Sequence, residues 1–146
     1  MIKKFILIFI IVFGFSNYSF SAGSSDNGGS KTKSNYEKAV TLIKTAKKYD
    51  KKGKSDKAEK RYKKALKLLL VSNKKKPNDA DTLNYLGFTS RKLGDFEKGE
   101  NYYLEGLNID PNHIGINEYL GELYVATNRI DLAKERLEIL SSCNCK

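Results

Sequence analysis

The sequence predicts an all-α domain built as a stack of three antiparallel helical hairpins. From Tyr36 onward, apolar residues recur at the spacing of an amphipathic helix, and no useful stretch alternates with the period of two that strands require. A pattern also repeats along the chain, since Leu86-Gly87 recurs as Leu120-Gly121. The period is about 34 residues, a length typical of stacked helical hairpins.

The first 22 residues have the pattern of a secretory signal peptide. A short basic start is followed by the apolar segment Phe5–Phe15 and then by the small and polar segment Ser16–Gly23. A retained membrane anchor is the alternative, but an anchor needs roughly 20 apolar residues to span a bilayer, and this segment offers about half of that. We therefore expect cleavage, at a site left open, and export to the periplasm or the medium without a stable membrane span.

Residues 23–35 are Gly, Ser and polar residues without apolar periodicity, which predicts a flexible leader. The folded domain is expected over residues 36–142, with a Cys-x-Cys tail at 143–146. Its three hairpins are expected at about 39–78, 80–113 and 114–142.

Six helices are expected in chain order. The linkers Pro77-Asn78-Asp79 and Pro111-Asn112-His113 each place Asn or Asp where it can cap the following helix. The first unit is about seven residues longer than the period. Because seven residues make close to two helical turns, a longer second helix keeps nearly the same face inward. The expected helices lie near 35–51, 55–75, 79–92, 96–108, 113–126 and 130–141.

Equivalent positions of the three units carry either small residues, which let paired helices approach closely, or large apolar and aromatic residues, which fill the space between them. These positions are Leu42, Ala46, Tyr49, Ala58, Tyr62, Ala65, Leu86, Gly87, Tyr103, Pro111, Leu120, Gly121, Tyr124 and Ala133. The pattern resembles the tetratricopeptide repeat, and the chain looks like a small exported bacterial protein of that family. The resemblance implies a short right-handed superhelix whose first helices line a concave groove. It also implies a scaffold or assembly factor that binds another protein or a peptide, without a cofactor and without catalysis.

The resemblance further implies which side chains line the groove. Those expected to meet a partner are Lys47, Asp50, Lys51, Asp81, Asn84, Phe88, Arg91, Lys92, Glu118 and Glu122; the other groove positions hold Val40, Ile43, Gly115, Val125 and Ala126. Basic residues are expected at one end and acidic residues at the other, with Phe88 as the apolar anchor. The alternative is that these are ordinary solvated helix residues.

Charge is distributed unevenly along the chain, whose formal net charge is +10. Residues 23–78 hold 18 Lys or Arg against 5 Asp or Glu, whereas residues 79–146 hold 7 against 12. A basic half attracts polyanions, and since export is expected, an anionic envelope surface is a better candidate than nucleic acid. An electrostatic binder of such surfaces is therefore an alternative function, and solvated lysine-rich helix faces are the structural alternative.

Cys143 and Cys145 leave three interpretations open. They form a tight internal disulfide, bonds to another chain, or a thiolate pair for a soft metal such as Cu(I). The third supports a thiol-dependent redox or copper-handling protein as a further alternative function. The resemblance includes exported repeat proteins with a cysteine pair after the last repeat, but their pair is wider and is followed by further helix.

No nucleophile, base and orienting group come together in the sequence, so an enzyme is not expected. His113 is the only histidine, and with no second ligand or carboxylate spaced to orient it, a loop or cap role is expected. No metal site is predicted beyond the weak Cys-x-Cys pattern. The outer face of the third hairpin is expected to be apolar and uncovered, available to a second copy, to another partner, or to the long second helix of another chain.

Overall fold

The computed structural model describes residues 32–142, and this part of the chain forms six α-helices and no strand. The helices are α1 (Asn35–Asp50), α2 (Ser55–Lys75), α3 (Ala80–Lys92), α4 (Phe96–Ile109), α5 (Ile114–Ala126) and α6 (Ile130–Ser142). Each end lies within one residue of the bound expected from the sequence, and the all-α class is confirmed. None of the six described helices combines the length and the apolar composition that a membrane span requires.

The six helices form three hairpins that stack in chain order. α1 packs on α2, α3 on α4 and α5 on α6, while α2 contacts α3 and α4 contacts α5. The first helices of the hairpins are also neighbours, since α3 contacts both α1 and α5. This arrangement places α1, α3 and α5 side by side along one surface.

The turn inside each hairpin uses the same left-handed backbone position. Gly53, Gly94 and Asn128 occupy equivalent places in the three repeats, with φ of 66°, 89° and 58°. Glycine adopts this conformation without a steric penalty, and asparagine tolerates it better than most residues. The repeat thus keeps its turn although the third unit lacks the glycine.

Small residues allow the helices of each hairpin to approach closely. Ala46 is fully buried between α1 and α2. A Cβ added at Gly87 would lie 2.5 to 2.8 Å from ring carbons of Tyr103, so only glycine fits there. At Gly121 the nearest atom, the Cβ of Arg136, is 3.5 Å away, which is ordinary contact.

The extra length of the first unit lies in α2, as expected. Tyr62, Ala65 and Leu69 are all buried along one face of this 21-residue helix. Because they are spaced by three and four residues, the added turns continue the buried stripe of the shorter repeat helix.

The caps of the helices differ in part from the expectation. α1 begins with a capping box, in which Ser34 Oγ accepts from the Glu37 amide at 3.2 Å and Glu37 Oε2 accepts from the Ser34 amide at 2.8 Å. Asp79 precedes α3, but its carboxylate accepts from the Thr82 hydroxyl at 2.6 Å instead of from a helix amide. Asn112 does not cap α5, because His113 occupies that place.

Candidate partner-binding groove

A groove of about 380 Å³ lies along the surface that α1, α3 and α5 share. Its lining combines aromatic rings with side chains of both charges. The lining residues are Lys47, Asp50, Lys51, Tyr62, Phe88, Arg91, Lys92, Glu118, Tyr119 and Glu122. Eight of these are groove residues proposed from the sequence, and the structure brings them together in one concavity.

Two proposed groove residues lie elsewhere. Asn84 is buried, and its Nδ2 would lie only 2.6 Å from a Cβ added at Gly115, so this amide fills the space between α3 and α5. Asp81 is outside the groove, with its Oδ1 3.3 Å from Nε2 of His113. Ile43 was also expected to face the groove, but it is buried in the core beneath α1.

The floor of the groove is aromatic. The rings of Phe88 and Tyr119 have centroids 4.9 Å apart, and the ring of Tyr62 meets Phe88 edge-on at 6.0 Å. Neither Tyr62 nor Tyr119 was proposed as a groove residue. Tyr119 directly follows the proposed groove residue Glu118, and this adjacency is the one signal by which the sequence indicated it.

Phe88 is not the open anchor that the sequence suggested, because it is only 3% exposed. Lys47 Nζ lies 4.7 Å from its ring centroid and 5.1 Å from that of Tyr119, and donates a hydrogen bond to the Tyr119 hydroxyl at 2.9 Å. The guanidinium of Arg91 lies 5.7 Å from the Phe88 centroid. Two cations therefore cover the floor and are attracted by the negative ring faces.

Two ion pairs join the walls across the groove. Arg91 of α3, whose side chain is 12% exposed, bonds Glu122 of α5 at 2.5 Å. Lys92 of α3 lies 2.9 Å from Asp50 of α1, and that carboxylate also accepts a hydrogen bond from the Tyr62 hydroxyl at 2.8 Å. Burial, together with this hydrogen bond and the nearby Asp50 charge, raises the pKa of Tyr62.

The ion pairs correct the expected separation of charge. The central residues of opposite sign neutralise one another, so a basic end and an acidic end persist only at the margins. Within the part of the chain that the structure describes, Lys47 and Lys51 on the α1 side have no carboxylate partner, and Glu118 on the α5 side has no cation partner. These three side chains are the groove charges left for a ligand.

His113 caps α5. Its Nδ1 accepts a hydrogen bond from the Ile116 amide at 3.2 Å, which leaves Nε2 as the donor toward Asp81 in the neutral ring. A carboxylate does orient this histidine, contrary to the expectation, but from 32 residues away in sequence. Over residues 32–142, no group of three or more His, Cys, Asp and Glu side chains is placed to hold a metal ion.

The predicted signal peptide, most of the predicted leader and the pair Cys143 and Cys145 lie outside the described residues, so export and the state of the two thiols stay predictions.

A second concavity lies on the basic first hairpin. Tyr49 of α1 and four cations of α2 line it, and its volume is about 360 Å³. The cations are Lys57, Lys60, Arg61 and Lys64, and none is in an ion pair with a carboxylate of the described chain.

A third groove, on the C-terminal hairpin, lies between α5 and α6 and is mostly apolar. Val125, Ile130 and Leu137 along it are exposed, and α6 contributes no fully buried residue. The expectation of an uncovered apolar face on this hairpin therefore holds for the described chain.

Comparison with known proteins identifies the central repeat and the fold. Residues 80–113 match the sequence profile of the tetratricopeptide repeat. No curated protein sequence matches the chain.

Three solved structures resemble the chain at low sequence identity. The MamA RS-1 ArsTM double mutant is 21% identical over 71% of this chain and 55% of its own length, with a TM-score of 0.50. The crystal structure of MamA is 19% identical over 70% of this chain and 75% of its own, with a TM-score of 0.49. The second TPR of Spaghetti (RPAP3), bound to the HSP90 peptide SRMEEVD, is 15% identical over 73% of this chain and 92% of its own, with a TM-score of 0.45.

Proposed function

Since the chain carries a tetratricopeptide repeat at the centre of three stacked helical hairpins, we propose that it is a non-catalytic scaffold or assembly factor that binds a partner protein through the groove of α1, α3 and α5. The observation that carries the proposal is the groove itself, with its aromatic floor and its charges of both signs. Such a surface is suited to an extended or helical segment of another chain.

The groove also favours a particular partner chemistry. Lys47 and Lys51 lack a carboxylate among the described residues, so an acidic side chain of the partner gains two charge-assisted contacts at this end. When Lys47 moves to that acid, its ammonium leaves the rings of Phe88 and Tyr119. An apolar or aromatic side chain then replaces the cation on the floor, while Glu118 receives a basic group at the other end.

The ion pairs Arg91–Glu122 and Lys92–Asp50 hold the walls in place before a ligand arrives. A pre-formed site loses less conformational entropy on binding, which favours affinity. The charges at the margins contribute mainly to orientation and to the rate of association. Binding should therefore weaken as the salt concentration rises.

The test is selection of peptides from a random 12-residue display library on the protein. On the unchanged protein, we expect enrichment of peptides that combine an acidic residue with an aromatic or apolar one. The double variant Lys47→Glu/Lys51→Glu should instead enrich peptides with Lys or Arg. The matched control Lys48→Glu/Lys52→Glu changes the net charge equally outside the groove, and it should keep the original enrichment. Identical enrichment by the groove variant and the unchanged protein would refute groove binding.

Electrostatic binding to an anionic envelope surface is a second candidate, favoured by the cluster of Lys57, Lys60, Arg61 and Lys64 on α2. Four cations without carboxylate partners in the described chain create a positive potential that attracts anionic lipid or cell-wall polymer. Vesicles with anionic lipid should retain the protein at low salt and release it at high salt. Retention that survives replacement of all four cations by Gln would exclude this cluster.

We also assign self-association to the apolar C-terminal hairpin.

On the basis of the signal-peptide pattern of residues 1–22, we further place the protein outside the cytoplasm. Detection of the cleaved chain in the envelope fraction would support this location, and an uncleaved cytoplasmic chain would overturn it.

A further inference from the structure

One repeat position is buried in the first two hairpins and exposed in the third. Tyr62 of α2 and Tyr103 of α4 are 1% and 0% exposed, whereas Leu137, the equivalent residue of α6, is 65% exposed. The difference has a simple cause. Phe88 of α3 packs against Tyr62, and α5 residues such as Leu120 cluster around Tyr103, but no helix of the described chain lies over Leu137.

The exposed α5–α6 face is equivalent to the α3–α4 face, which is covered by a helix in the same molecule. The α5–α6 groove has a volume of about 370 Å³, and Val125, Ile130, Ala133, Leu137 and Leu140 give it an apolar lining. One hairpin earlier, the equivalent face of α3 and α4 is covered by α5. By repeat equivalence, the occupant of the open groove is an amphipathic helix with an apolar stripe.

Regular head-to-tail stacking of copies does not supply that helix. It would place α1 of one copy on α6 of the next, with Thr45 and Lys48 where α5 uses Leu120 and Leu123. Burying a lysine without a partner is costly, and a threonine whose hydroxyl is already bonded within α1 offers little apolar area. The first helix is therefore a polar end of the stack.

Helix α6 itself carries the required stripe. Ile130, Ala133, Leu137 and Leu140 follow one another at spacings of three and four residues, and all lie along the groove. Two antiparallel copies of α6 related by a twofold axis near Leu137 bring this stripe against itself, with each Leu137 entering the groove of the other copy. A closed twofold pair covers the α5–α6 groove of both copies, so it does not continue into larger assemblies.

The charges beside the stripe fit the same arrangement. Lys134 and Glu138 lie one turn apart on one flank of α6, and in an antiparallel pair that flank meets the same flank of the other helix. Lys134 of each copy then lies against Glu138 of the second copy, and the pair occurs twice. Among the described residues of one chain, the carboxylate that Lys134 contacts is that of Asp131, and this ion pair between two exposed side chains contributes little to stability.

From these observations we infer that two copies of this chain associate through their C-terminal hairpins, with α6 antiparallel to α6 of the second copy about Leu137. The inference rests on the self-association proposed above and gives it a geometry. Of the groove of α1, α3 and α5 it shares only Glu118, so the peptide-binding variants at Lys47 and Lys51 and the dimer variant at Leu137 change different sites and are separate measurements.

The test is sedimentation equilibrium of the full processed protein, with a reductant present so that Cys143 and Cys145 cannot cross-link copies. We expect a concentration-dependent mass that approaches two chains. Leu137→Glu should raise the dissociation constant at least about a hundredfold, because one leucine is lost from each half of the interface. Leu104→Glu changes a leucine that is 43% exposed on α4, and as the matched control it should change the constant less than about twofold.

Mixing two charge variants tests the antiparallel geometry. Lys134→Glu and Glu138→Lys should each associate weakly alone, by about three- to tenfold, whereas their equimolar mixture should recover association because both cross-pairs become complementary. A monomer at all concentrations, an open-ended series of larger masses, or dimers that survive Leu137→Glu would each overturn the inference. If Leu137→Glu dissociates the dimer but the charge variants and their mixture behave like the unchanged protein, self-association stands and the antiparallel geometry falls.

Discussion

The ring of Tyr103 occupies the place where a side chain at residue 87 would begin, with its Cε1 2.5 Å from the Cβ that Gly87 lacks. Tyr103 is fully buried between its own hairpin and the next, so the ring cannot move aside. This contact fixes how closely α3 approaches α4 at the centre of the stack.

Gly87→Ala should lower the free energy of unfolding by about 1–2 kcal/mol, because the overpacking cost exceeds the helix propensity gained by replacing glycine. Gly121→Ala is the matched control at the same repeat position. Its new Cβ meets only the Cβ of Arg136 at 3.5 Å, so we expect no loss and a gain of up to about 1 kcal/mol. Urea unfolding of both variants measures the difference. Equal effects would show that the Tyr103 contact does not limit the helix spacing.

His113→Ala should destabilise the protein by about 1 kcal/mol, since the Ile116 amide at the start of α5 loses its acceptor. His113→Asn supplies a side-chain oxygen at the same place and should restore most of the loss. Asp81→Asn should have little effect, because the Asp81 carboxylate is 67% exposed. Thermal unfolding distinguishes these cases. If Asp81→Asn lowers the thermal stability more than His113→Ala does, His113 stabilises the protein through its ion pair with Asp81 and not through the helix cap.

Alkaline pH should destabilise the fold through its buried tyrosines. Burial is the main cause that raises the pKa of Tyr62 and Tyr103, so each keeps its proton in the folded state at a pH where the unfolded chain, with a pKa of about 10, has lost it. The stability that these groups contribute is thus complete below pH 10 and is lost as the pH rises above it, by about 1.4 kcal/mol per pH unit for each group.

Tyr103→Phe removes one of these titrating groups. Between about pH 10 and 11.5, the free energy of unfolding of the variant should therefore fall less steeply with pH, by about 1.4 kcal/mol per pH unit. Urea midpoints at a series of alkaline pH values give the slope. An unchanged slope in Tyr103→Phe would assign the alkaline transition to other residues.

Most of the backbone structure could be predicted from the sequence because the repeat pattern occurs three times in the chain. The helix ends can be inferred from recurring positions, such as the turn residues Gly53 and Gly94. In the structure, no helix end lies more than one residue from its predicted bound. The capping box of Ser34 and Glu37 is also encoded in the sequence, as Ser-x-x-Glu before an apolar run.

The position of the groove could be predicted from the sequence, but the contacts among its side chains could not. Repeat positions indicate which side chains face the shared surface of α1, α3 and α5. They do not indicate that Lys47 covers Phe88 or that Arg91 reaches Glu122, because these contacts join different hairpins and depend on how far each long side chain extends. Asn84 and Ile43 were misplaced for a related reason, since the helices are packed closely enough to bury residues that the pattern assigns to the surface.

Helix α6 has no residue that is shielded on all sides, and it is the last element of the described stack. In a linear array each hairpin is held by its neighbours alone, so this helix has support on one side only. Its amides are expected to exchange with solvent sooner than those of α3, and a protease that samples brief openings would begin there. A partner that covers α6 in the cell should therefore slow proteolysis and lengthen the lifetime of the protein.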